Sequence, residues 1–534
     1  MEVVETWTGR HANALRNALR LTNEAFAEAL GTSVRAVAKW NANPNLVPVS
    51  ELQRALDTAL SRAPADAQAR FGLLLASRDR ESPNVHPSTG SPTGDDVYAA
   101  NAQLRLDHDP DLNDVLDWLD DHAGWPDGEA RQRVSTLAQQ LDIRALRDGG
   151  RKRGRLSRMA IATALARFYD IESSDYELHQ AWCGQAITTS VLTRPEWLDL
   201  RLVLGQGEDR LTLHPGTGPV IDRLDAATAN AAAVRIAEVL STDTRLVNRP
   251  LYQLVSHTVK QGAFTGTVAL TDFGSYALTM DLLERELLDA LVNGAEMTTA
   301  TLPLRARYLP DVESVTNVDG RLCAGGPLAL FAAARPRGHR RDERDYVLLV
   351  QERSSRVLNA ARRLAVIPKA FHQPLIDFSD DAQISATLER ELEEELLGRT
   401  DIDSTTAERR LADPLNIDRL SVPMRWLIER ADSNHWRMEC TGFGLNLVSG
   451  NFEFASLVVI DDEEWWKRFG GVVEANWESD GLRLYSSRDH DGLTSLLHDP
   501  AWSNEGLFSF TQGLRRLSET GGDRVSSPLT EQET

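Results

Sequence analysis

Glu391, Glu394 and Glu395 stand at positions i, i+3 and i+4 of the run TLERELEEELLG, a spacing that puts three carboxylates on one face of an α-helix. Converging negative charges repel, so such a face is tolerated when water, cations or a bridging divalent metal answer it. Leu388, Leu392 and Leu396 give the same helix an apolar stripe to bury. Arg390 inside the run, and Lys369 and His372 ahead of it in LAVIPKAFHQPL, are the candidate ligand contacts. A second group of residues points to different chemistry. Thr32, Ser33, Arg35, Ala36 and Lys39 are small or basic and lie off the apolar Val34/Val37/Trp40 face of one short helix. A helix that reads base edges in a DNA groove needs that kind of outer surface.

The elements around the second group are well marked. Leu15 and Leu19, then Phe26, Ala27 and Leu30, then Val34, Val37 and Trp40 form three short apolar helix faces. Thr22-Asn23 is a start signal for the second helix, Gly31 suits the tight turn that ends it, and Thr32-Ser33 can cap the third. The stretch Gly9–Leu60 resembles the Cro/repressor-type (XRE-like) helix-turn-helix family, of the kind found in actinobacterial regulators. That resemblance implies transcription regulation through double-stranded DNA, with Asn23 standing where the family often has a phosphate-contacting Gln. Over residues 1–62, seven Lys and Arg face six Asp and Glu, a net of +1. So weak a field predicts modest non-specific affinity, and a homodimer on two half-sites is expected.

From about Leu302 the texture turns to strands. Leu328–Ala334 and Tyr346–Gln351 read as one hairpin, and Trp436–Val448 and Phe452–Ile460, with Ser449-Gly450-Asn451 as the turn, as another. Strand, glutamate helix, strand pair and the DEEWWKRF helix follow in an order that resembles the Nudix family, and Arg390-Glu391-Leu392-Glu393-Glu394-Glu395 matches the second half of its box. The resemblance implies a mixed sheet sandwiched by helices, with Glu391, Glu394 and Glu395 as ligands of magnesium that bridges a nucleoside diphosphate. The first half of the box is absent: Ile376 stands at the glycine position and Ala382 at the first glutamate position. The expected role is therefore that of a domain sensing a nucleotide-like or diphosphate-containing ligand without hydrolysing it. The alternative is a magnesium-dependent hydrolase of a nucleoside diphosphate derivative, with the helix-turn-helix as accessory.

The whole chain frames these modules. Its 534 residues carry 58 Lys and Arg against 79 Asp and Glu, a formal charge of −21, which excludes a polybasic nucleic-acid coat but not a small DNA-binding module on an acidic body. Three scattered cysteines argue against a disulfide framework or a zinc site, and no apolar run is long enough for a membrane span, so a cytoplasmic protein without a membrane partner is expected. The expected fold class is multidomain: an all-α helix-turn-helix domain over 1–76, a flexible linker over 77–97, a mainly α middle domain over 98–300, an α+β Nudix-like domain with a mixed sheet over 301–520, and a disordered tail over 521–534. The basic run Arg151–Arg158 reads as a solvated loop.

Overall fold

The computed structural model describes residues 7–19, 21, 23–30, 32, 37–40, 46–48, 50–62, 71, 102–216, 218–219, 221, 223–242, 244–338, 343–375, 377–397, 420–430, 435–471, 473 and 479–530. The chain divides into two compact units, 1–91 and 92–534. In the first, helices cover Gly9–Leu19, Asn23–Leu30 and Ser50–Arg62, and residues 37–40 are helical as well. Their apolar faces meet in one core of Trp7, Leu15, Phe26, Leu30, Val37, Trp40, Leu56 and Phe71, with the Trp7 and Phe71 rings stacked at 5.8 Å. Asn13 Nδ2 donates to the Trp40 carbonyl at 3.3 Å, tying the first helix to the 37–40 turn. The linker expected over 77–97 lies outside the described residues.

The second unit is an α+β body built on a mixed sheet. Among the described residues the strands are β1 (Glu177–Cys183), β2 (Gln185–Thr193), β3 (Leu202–Val203), β4 (Thr212–Leu213), β5 (Pro250–Lys260), β6 (Ala263–Asp272), β7 (Gly325–Arg335), β8 (Asp345–Arg353), β9 (Leu364–Val366), β10 (Trp436–Asn446), β11 (Phe452–Ile460) and β12 (Ser479–Ser486). The large sheet runs β1-β2-β10-β11-β7-β8-β12, with β3 on β10 and β9 on β8, and β4-β6-β5 form a smaller one. β7 and β11 are parallel, while the other neighbours in the large sheet are antiparallel. Every residue of β7 is buried, because both faces are covered. Ala329, Phe331 and Ala333 pack toward β5, β6 and the helices Met280–Val292 and Ile384–Glu391. Leu328, Leu330 and Ala332 on the opposite face meet Leu507, Phe510 and Leu514 of the helix Asn504–Thr520.

Three expectations are corrected here. Residues 98–300 are not a separate, mainly helical body, because β1 and β2 fall within them and β2 hydrogen-bonds to β10. What is helical there is a layer: Leu112, Leu116 and Leu119, Val134, and Ile236 and Leu240 from three helices share one core. The tail is docked as far as Thr530, where the Ser526 amide donates to the Ser487 carbonyl at 2.8 Å and the Thr530 amide to the Trp182 carbonyl at 2.9 Å. The basic run belongs to the end of the helix Ile143–Gly154 and the start of the helix Arg158–Phe168, not to an open loop. No described helix is long and apolar enough to cross a membrane.

Gly325 and Gly326 open β7 where the chain is most crowded. A Cβ on Gly326 would overlap the Ala370 carbonyl and the His372 amide, so the 370–372 segment crosses β7 only over a bare backbone. Gly326→Ala should lower stability in chemical denaturation by about 2 kcal/mol or more. Gly471→Ala, where an added Cβ meets nothing, should stay within about 0.5 kcal/mol of the parent.

Candidate functional site

A cavity of about 250 Å³ opens where β7 and β11 begin and β8 and β10 end. Gly325 and Gly326 of β7, Glu453 of β11, Asn446 of β10 and Arg353 of β8 contribute from the sheet. Arg245 and Arg249 enter from the approach to β5, Glu284 and Leu288 from the helix Met280–Val292, and Arg363 from the strap 354–363 that follows β8. Glu505 projects from the first turn of the helix Asn504–Thr520, which Ser503 caps by accepting from the Gly506 amide. Lys369 arrives on the segment after β9, and its Nζ meets Glu505 Oε1 at 2.6 Å.

The glutamate helix sits at the rim, but its carboxylates do not act together. The helix is α-wound over Ile384–Glu391 and then widens into a π-turn over Leu392–Leu396, which shifts the angular phase of every later side chain. Glu391 and Glu394 line the cavity. Glu391 Oε1 accepts from Arg390 Nη2 at 3.0 Å, while Glu395 Oε2 turns beneath the segment and accepts from the Lys369 amide at 2.9 Å. Glu393, which the sequence left unassigned, is held by Ser421, whose Oγ donates to it at 2.6 Å. The magnesium triad implied by the family resemblance does not fit this arrangement. Among the described residues no group of three His, Cys, Asp or Glu is placed to hold a metal ion.

Of the three candidate ligand contacts, Lys369 alone lines the cavity. His372 is fully buried, with Nδ1 2.8 Å from Thr387 Oγ1 and its ring 4.5 Å from that of Tyr252. Burial, with the Arg390 charge nearby, holds its pKa down to about 3, so it is a neutral packing group. Arg390 is also buried, spending its donors on Glu391 and on the Gln373 carbonyl at 3.2 Å.

In the first unit, Asn23 is tied internally, its Oδ1 accepting from Arg16 Nη1 at 2.7 Å. The Thr32 amide closes the second helix on the Ala27 carbonyl at 2.9 Å. Lys39 is exposed between the buried Val37 and Trp40. Ser33, Arg35 and Ala36 lie outside the described residues.

Beyond Lys369, Glu391 and Glu394, the residues that give the cavity its character were not singled out from the sequence. Five cations (Arg245, Arg249, Arg353, Arg363, Lys369) share it with five carboxylates (Glu284, Glu391, Glu394, Glu453, Glu505). Burial, reinforced by Glu505, raises the Glu453 pKa to about 8, and burial with Asp281 and Glu505 raises that of Glu284 to about 7. Burial would raise Glu505 as well, but the Lys369 ammonium overrides it and keeps that carboxylate ionised. Near neutral pH the cavity thus holds more positive than negative charge, with a protonated Glu453 that can both donate and accept. A signal for Glu453 did exist: it is the one acidic residue in the otherwise uncharged strand FEFASLVVI, where a charge needs a reason. The scattered arginines carried no such mark.

These shifts tie stability to pH with a definite sign. Folded Glu453 keeps its proton to about pH 8 against an ordinary value of 4.5, so between those limits the folded state holds the extra proton. Its stabilising contribution is complete below the ordinary value and is lost as pH climbs to about 8; Glu284 acts with the same sign, ending at about 7. The thermal midpoint should therefore be lower at about pH 8.5 than at about pH 6, and Glu453→Gln, which keeps the neutral shape, should shrink that drop. A drop of unchanged size in the variant would assign the titration to other groups. The site stands on its own geometry, since no protein-family model matches this chain and no curated protein matches it.

Proposed function

We propose that the protein is a DNA-binding transcriptional regulator whose C-terminal unit senses a nucleotide-like or diphosphate-containing metabolite without hydrolysing it. The composition of the cavity carries this reading: four arginines and a lysine around one space, with a protonated carboxyl among its lining. Guanidinium forks match phosphate oxygens two at a time, and a neutral carboxyl can pair with the donor and acceptor edge of a base or sugar. Phe273 and Phe371, packed edge-on at 5.6 Å, add aromatic wall suited to an apolar ring. Sensing is favoured over turnover because Glu391 and Glu395 are engaged by protein donors, and because the first half of the catalytic box is missing from the sequence.

The DNA-binding half of the proposal rests on the N-terminal unit. Buried Val37 and Trp40 fix the 37–40 turn to the core, which leaves Lys39 on its outer side. A ligand that binds two states of the protein unequally shifts their populations, and with them operator affinity or the assembly of a homodimer on paired half-sites.

Calorimetric titration of the full chain with a panel of nucleoside diphosphate derivatives should find a saturable ligand, bound about tenfold or more weakly after Arg245→Gln or Arg249→Gln. Turnover of a panel member with magnesium, abolished by Glu394→Gln, would replace the sensor by a hydrolase. Binding to the DNA upstream of the protein's own gene should fall steeply with salt, and Arg35→Ala or Lys39→Ala should make that slope shallower by about 0.9 for each phosphate that is no longer neutralised. Salt-independent or absent binding sinks the DNA reading and leaves the sensor to be judged on its ligand.

A further inference from the structure

A second cavity, of about 240 Å³, lies on the other side of the 354–363 strap, against the helices Ile143–Gly154, Ala226–Ser241 and Met280–Val292. Six arginines reach it: Arg147 and Arg153, Arg235, and Arg285 from these helices, and Arg362 and Arg363 from the strap. Arg153, Arg235 and Arg285 are balanced by carboxylates. Arg235 Nη2 meets Asp281 at 3.0 Å, Arg285 grips Glu238 with both terminal nitrogens at 2.6 and 2.5 Å, and Asp289 takes Arg285 and Arg153 at 2.7 Å each.

Arg363 has no share in that network. It is 5% exposed, and its guanidinium donates to the carbonyls of Leu156 at 2.5 Å and Arg153 at 3.2 Å. Among the described residues no carboxylate forms an ion pair with it; Glu284 and Glu505 act on it only from a distance. A buried cation with neutral partners alone is costly to keep unless something brings the opposite charge. The strap that carries it is itself held in an unusual shape. Ala360 at φ 47° and Arg362 at φ 63° sit in the left-handed region that L side chains avoid. They stay there because the Ala360 amide donates to Glu284 at 3.2 Å, the Arg362 amide to the Arg353 carbonyl at 3.0 Å, and the Arg353 amide to the Arg363 carbonyl at 2.8 Å. The result puts two consecutive arginines on one cavity, which exposed Arg147 also lines from the helix.

We propose that this second chamber is a site for a phosphate-type oxyanion, with Arg363 as its central counter-charge and Arg147 and Arg362 closing on it from the rim. Tetrahedral phosphoryl oxygens accept from several forks at once, which a single halide or carboxylate does not match. The anion is either free phosphate or a phosphoryl group of a larger ligand reaching past the strap, whose Leu358, Ala360 and Arg363 line both cavities. The two cavities share Arg363, while Arg147 and Arg362 line only the second and Arg245 and Arg249 only the first.

The full chain titrated with inorganic phosphate and with pyrophosphate, at constant ionic strength and with chloride as reference, should show saturable heat and a raised thermal midpoint. The Arg147→Gln, Arg362→Gln double variant, altered only at exposed positions, should bind about tenfold more weakly or worse with its unliganded midpoint unchanged. Arg363→Met, which keeps the apolar stem, should lose the phosphate-induced rise altogether. Arg245→Gln and Arg249→Gln should leave phosphate binding intact. Competition between pyrophosphate and a nucleoside diphosphate that is lost in the Arg147→Gln, Arg362→Gln variant would assign the anion to the larger ligand, and additivity would assign it to free phosphate at this site. Wild-type protein without saturable phosphate binding overturns the proposal. So does binding lost in the Arg245 and Arg249 variants but kept in the strap variants, an outcome that leaves the sensor cavity standing.

Discussion

Parallel pairing of β7 with β11 governs the second unit. Nine consecutive pairs, from Gly325 beside Phe452 to Ala333 beside Ile460, hold the strands in unbroken register. Parallel neighbours cannot be joined by a tight turn, so the chain must travel back from the far end of one to the near end of the other. That return contains β8, the strap, β9, the Lys369 segment, the glutamate helix and β10. Two strands that start side by side, and two that finish beside them, leave a hollow bordered by loops. The bare backbones of Gly325 and Gly326 let the 370–372 segment close one wall of it. The cavity therefore follows from strand direction, and its chemistry from which loops the return path delivers.

Electrostatics around that hollow obey a single demand, that each charge removed from water be answered. Lys369 answers Glu505, Arg390 answers Glu391, and Arg285 answers Glu238 and Asp289. Where the nearby cation is already committed, as at Glu453, whose neighbour Lys369 pairs with Glu505, the proton stays on instead. Arg363 has neither remedy, because a guanidinium keeps its proton at any ordinary pH. That asymmetry between carboxyl and guanidinium leaves Arg363, which borders both cavities, charged where a glutamate would keep its proton.

Much of the sheet was legible from the sequence, and the reasons are local. The pairs β7/β8 and β10/β11 are dense apolar runs with turn residues between them, and the glutamate helix carries its leucine stripe. The membership of β1 and β2 was not legible. ELHQAWC and QAITTSVLT mix polar and apolar residues because β1 lies at an edge, and the strand that joins β2 to the rest of the sheet, β10, comes more than two hundred residues later. The site was half legible. Spacing found Glu391, Glu394 and Lys369, but ideal helical phase could not foresee the π-turn that parts Glu395 from them. His372 and Arg390 looked like ligands because of their type, whereas burial made them internal ties. Arg245, Arg249 and Glu284 converge from distant segments, and only the tertiary path joins them.

The docked end of the chain has a wider consequence. β1 is the outermost strand on one side of the large sheet, and a bare outer strand is a template on which a second polypeptide can zip itself. Thr530 bridges to Trp182 in the antiparallel sense, so part of that rim is already taken by the molecule's own backbone. At that rim a second copy would have to displace the molecule's own backbone before it could extend the ribbon past Trp182, while β12 is the outer strand on the opposite side.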